Sequence, residues 1–121
     1  MLWVVLLVGA SGLIGGYAAE RAGIPKLQHR PGTPDEVVES CRQAAIAAAR
    51  THAGEMGAEL VRVDATSAGE MRRTRSGGRA PVEVGIVYSR PSGREARQGV
   101  VECRVDARGQ AAIADLAGAA R

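Results

Sequence analysis

Phenylalanine is absent from this 121-residue chain, and tryptophan and tyrosine contribute only one and two residues. A core made from such a sequence cannot rely on large aromatic rings, which bury more apolar area than any other side chain. It has to be assembled from Val, Ile, Leu and many Ala, so each contact contributes little and stability is modest. Lysine is nearly absent as well: a single Lys stands against fifteen Arg, and the formal net charge is +3. So small an excess does not imply nucleic acid. Arginine does offer bidentate contacts to carboxylates or phosphates that lysine cannot make. The two histidines, His29 and His52, are isolated, and no CxxC or His/Cys cluster exists, so no metal is expected. The length suits one domain.

Charge is also missing from the first part of the chain. Met1 to Ala19 has no charged side chain, and the first is Glu20. About 18 helical residues extend roughly 27 Å, enough to cross a thin hydrocarbon core. Trp3 and Tyr17 sit near the two ends, where amphipathic rings favour the interface. Gly12 and Gly16 form a GxxxG pair, which lets a membrane helix approach another closely. Residues 1–19 therefore read as a membrane anchor or as a signal segment. Gly16-Tyr17-Ala18 before Ala19 has the small-x-small pattern of a cleavage site, but no Lys or Arg precedes the apolar run. Arg21, Lys26 and Arg30 would draw the following domain toward the cytoplasm. The two cysteines point instead to an oxidising compartment.

The same opening supports a second reading. After the apolar run Trp3–Val8, Gly9, Gly12 and Gly15 follow as G-x-x-G-x-x-G, with Ala10, Ser11, Leu13 and Ile14 between them. This string resembles the opening of NAD(P)-dependent epimerases and short-chain dehydrogenases. The resemblance implies a glycine turn that carries a pyrophosphate at a helix N-terminus. It covers about twenty residues. Where that family continues with a second parallel strand, this chain has Pro25 and Pro31 and no β-branched run. No Tyr-x-x-x-Lys pair occurs: Tyr17 is followed by Arg21 and Tyr88 by Ser92. The anchor reading is preferred, and no cofactor is expected.

Residues 20–32, with their prolines and glycines, read as a linker. A helix start follows at Thr33-Pro34-Asp35-Glu36, with Thr33 as cap, Pro34 at the first helical position and Glu36 closing a capping box. Val37, Cys41, Ala44, Ala45 and Ala48 then form one apolar stripe, and the helix should end near Gly54 or Gly57. Three alternating runs follow: Leu60–Ala65, Val82–Tyr88 and Gly99–Val105. Ser89–Arg94 joins the last two, and Asp106–Gly109 is a further turn. Ala111–Ile113 reads as a short strand or as part of a terminal helix. The expected fold is α+β: an apolar N-terminal helix, then a domain over 33–121 with one helix on a three- or four-stranded antiparallel meander, one face wet. Cys41 and Cys103 both fall on the inward faces, so they are expected to form a disulfide.

No catalytic constellation emerges. Cys41 and His52 are eleven positions apart, three turns along one helix. The remaining feature is arginine. Arg72, Arg73, Arg75 and Arg79 crowd one glycine-containing loop, and Arg90, Arg94 and Arg97 lie around the next connection. The first group is a candidate contact for anionic lipid headgroups or an acidic partner. RNA is disfavoured because no stacking aromatics accompany it. The sequence thus points to a non-enzymatic, membrane-tethered domain outside the cytoplasm, an accessory subunit or binding module that works with other membrane subunits. A free exported domain left by signal cleavage is the alternative.

Overall fold

The structure is a computed structural model that describes residues 26–113. The apolar segment, with Gly12 and Gly16, lies outside the described residues, as does the glycine string Gly9–Gly15. Helix α1 spans Asp35–Met56, and five strands follow: β1 Glu59–Ser67, β2 Arg72–Thr74, β3 Gly77–Arg90, β4 Gly93–Asp106 and β5 Ala111–Ile113. They form one sheet in the order β1-β3-β4-β5, with β2 also against β3. Every strand pair is antiparallel. One helix therefore packs on an antiparallel sheet.

Helix α1 forms where the apolar stripe predicts it. Its acidic first turn, Asp35 and Glu36, suits the positive end of the helix dipole. The capping expectation is corrected: the N-cap is Pro34, and no side chain caps it. Thr33 is buried instead, where its Oγ1 donates to the Gly69 carbonyl (2.8 Å) and its backbone N–H donates to Ser67 Oγ (3.0 Å). The hydroxyl that could have capped the helix ties its start to the end of β1. At the other end Gly57 takes the left-handed conformation, and Ala58 N–H bonds back to the Ala53 carbonyl at 2.8 Å.

The buried helix face is Cys41, Ala45, Ala49 and Ala53. These small side chains bring the helix backbone close to the sheet, where it meets Val63, Val82, Val84, Ile86, Tyr88 and Val101. Cys41 and Cys103 are joined in a disulfide with Cα atoms 6.1 Å apart, as the two inward faces require.

The sheet is four strands across, as the meander reading allows, but contains a fifth strand. The run Arg72–Thr74, expected to be loop, is the short strand β2, which extends the β1 edge along β3. A bulge between Leu60 and Arg62 leaves Val61 out of the ladder and exposed. The expectation of one wet face also fails for β3, where Val82 through Tyr88 are all buried. Its outer face is crossed by residues 26–30, within the segment that composition assigns to a linker. Gln28 N–H donates to Glu83 (3.1 Å), Gln98 Nε2 donates to the Lys26 carbonyl (2.7 Å), and His29 bonds Thr66 (2.7 Å). Arg30 N–H then donates to the Ser67 carbonyl at 2.8 Å, in a parallel bridge beside Ala68. Extended backbone on a sheet needs partners for its polar groups, and these side chains provide them.

Candidate functional site

Strand alternation sorts the arginines onto two faces and two ends of the sheet. The connection expected at Ser89–Arg94 is tighter than that, a turn with only Pro91 and Ser92 between the strands. Arg90 therefore belongs to β3, and Arg94 and Arg97 belong to β4. Arg97 pairs with Ile86 and so points to the helix side. Its guanidinium lies 5.6 Å from the centre of the Tyr88 ring, and His52 from α1 meets the same ring edge-on at 5.9 Å. Arg97 Nη1 donates to His52 Nε2 (3.1 Å), which requires that ring nitrogen to be the acceptor. Glu95 joins the group by pairing with Arg97 and, at 3.0 Å, with Arg90. Arg90 also reaches Met56 Sδ at 2.9 Å.

This cluster sits under the last turn of α1, where cations complement the negative end of the helix dipole. Tyr88 is almost completely buried there, and burial pushes its phenol pKa up despite the opposing pull of Arg97. The cluster was not legible from the chain, because His52, Tyr88 and Arg97 lie on three separate elements. In chemical terms it closes the end of an aromatic-poor core with cation–π and ion-pair contacts. Cys41 is not part of this cluster: it is locked in the disulfide, about three turns along the helix from His52.

The second group lies at the opposite end of β3. Arg72 and Arg73 are in β2, Arg75 is in the tight turn and Arg79 is in β3. All four are exposed. The hairpin is possible because Gly77 sits at φ 149° against the end of β4, where a Cβ would lie 1.8 Å from the Val105 carbonyl oxygen. Register adds a residue that sequence reasoning left out of the group: Arg72 stands opposite Arg79, and Arg79 stands opposite Arg104. Alternation marks Arg104 as outward-facing, but only the β3–β4 register reveals its neighbour. Glu102 lies 3.8 Å from Arg79 and 4.0 Å from Arg104, the one carboxylate among the described residues within ion-pair distance of this row. All three partners are more than half exposed, so each pair contributes little. An open groove of mixed character beside the row is lined by Ser76, Arg79, Arg104, Val105, Asp106 and Ala111, among others.

Among the described residues no group of His, Cys, Asp and Glu is arranged to hold a metal, and no helix is long and apolar enough to cross a membrane. Comparison with family models, curated proteins and solved structures finds no match.

Proposed function

We propose that this protein is a non-enzymatic accessory domain, tethered to a membrane by residues 1–19 and displayed on the periplasmic or extracellular side. It serves there as a binding module within a membrane or envelope assembly. The observation that carries this reading is the Cys41–Cys103 disulfide, which joins helix to sheet across 62 residues. Such bonds persist in oxidising compartments, so the bond favours export over the cytoplasmic placement that Arg21, Lys26 and Arg30 would give. The uncharged Met1–Ala19 stretch supplies the route and the tether. Within it Gly12 and Gly16 would face another transmembrane helix, because glycines weaken a lone helix unless close backbone packing compensates.

The antiparallel sheet counts against the dinucleotide-binding alternative, which needs parallel strands joined by helices. Membrane fractionation of the intact chain, with N-terminal sequencing, tests the proposal. Recovery in the membrane with Met1 intact supports it. A soluble chain beginning near Ala19 makes it a free exported domain. A soluble intact chain whose melting temperature rises with NAD(P) restores the dehydrogenase reading. With the tether established, Gly12→Leu combined with Gly16→Leu should release a co-purifying partner while the protein stays in the membrane.

A further inference from the structure

Three arginines on adjacent strands share one register position: Arg72 on β2, Arg79 on β3 and Arg104 on β4. Neighbouring strands are about 5 Å apart, so the guanidinium stems start side by side. Like charges directly opposite each other destabilise a sheet. Among the described residues the row has one carboxylate within ion-pair distance, Glu102, shared between two of the three. Arg75 in the adjoining turn adds charge of the same sign, whereas Arg73, opposite Gly78, falls on the other face of β2. A surface with this much uncompensated, forked donor capacity suits closely spaced phosphate groups.

We propose that the Arg72–Arg79–Arg104 row docks on anionic lipid headgroups of the membrane that holds the chain. The proposal rests on the tethered reading above and adds which face meets the bilayer. The row lies on the sheet face opposite α1, and the chain enters the domain across that same face, where the Lys26 carbonyl and Gln28 N–H bond Gln98 and Glu83. Arg79 and Glu83 are four residues apart on β3, so the row lies about 13 Å from the crossing. Ala19, the end of the apolar segment, is seven residues before Lys26. Seven extended residues span at most about 25 Å. The tether therefore keeps the outer face within reach of the bilayer surface, whereas α1 and the Arg97 cluster lie on the other side of the sheet. Tyr88 is on the helix side, so among the described residues no tyrosine accompanies the row to stack nucleic-acid bases. An arginine beside an anionic surface gains about fivefold in partition, so the three together weight the docked state by about 100-fold.

Hydrogen exchange of the full chain, reconstituted in nanodiscs of phosphatidylcholine with and without phosphatidylglycerol, tests this. Peptides containing Arg72–Arg79 and Arg104 should exchange several-fold more slowly when phosphatidylglycerol is present, and high salt should abolish the difference. Arg72→Gln, Arg79→Gln and Arg104→Gln combined should abolish it too, with the disulfide intact as the check on folding. Glu102→Gln should enlarge it by freeing the row from its one nearby carboxylate. Equal exchange in both membranes, or protection that survives the triple substitution, overturns the proposal. Slowed exchange with soluble polyglutamate but not with phosphatidylglycerol overturns it in favour of an acidic polypeptide. Flotation with neutral phosphatidylcholine vesicles reads the tether alone, so a chain that floats without headgroup-dependent protection refutes the row and leaves the anchor standing.

Discussion

Cys41 on α1 and Cys103 on β4 are fully buried and joined, with their Cα atoms 6.1 Å apart. Apart from Cys41 the fully buried residues of the helix are all alanines, Ala45, Ala49 and Ala53, so the covalent link supplies cohesion that these small side chains cannot. Removing it with Cys41→Ala and Cys103→Ala should destabilise the domain by about 2–4 kcal/mol. Urea unfolding of the oxidised protein and the double variant measures the loss.

The alanine stripe is a spacing device. Ala49 is completely buried between α1 and the sheet, and Ala49→Leu would force the two layers apart. The expected cost is about 1–3 kcal/mol, seen as a lower urea midpoint with the slope unchanged. A neutral result would show an unfilled space at that position.

Gly77 is the backbone hinge of the arginine hairpin. Its φ of 149° and the 1.8 Å approach of a would-be Cβ to the Val105 carbonyl leave no room for a side chain. Gly77→Ala should cost about 1–3 kcal/mol and disturb β2 first. Amide exchange at Arg72–Thr74 would then accelerate more than exchange in the centre of β3.

Acid should erase one surface contribution. Hydrogen bonds from Arg42, then Gln43, hold the exposed Glu39 carboxyl down at about 2, against an ordinary 4.5. Its stabilising effect is in place above pH 4.5 and is lost as the pH falls toward about 2. Carboxylate titration by NMR should find Glu39 among the most acidic groups, and Arg42→Ala should return it toward 4.5.

Alkali acts on Tyr88. Burial raises its phenol above the ordinary value of 10, so the buried neutral form stabilises the fold fully below pH 10. Stability should fall as the pH rises above 10 through the raised value. Ultraviolet titration of the folded protein should show a tyrosine that ionises later than a free one.

The chain alone was enough to place α1, the three main strands and the Cys41–Cys103 pairing. Each follows from local periodicity: a helical stripe puts Cys41 inward, and strand alternation puts Cys103 inward. Alternation assigns a face but not a neighbour. Which residues stand side by side depends on where the Pro91–Ser92 turn closes, on the bulge at Val61 and on the short strand β2. Only those long-range pairings align Arg72, Arg79 and Arg104, lay Arg97 over Tyr88 and bring residues 26–30 across the outer face of β3. These contacts join residues of different elements, as far apart as the 72 positions between Lys26 and Gln98, and a periodic pattern within one element carries no information about its partner.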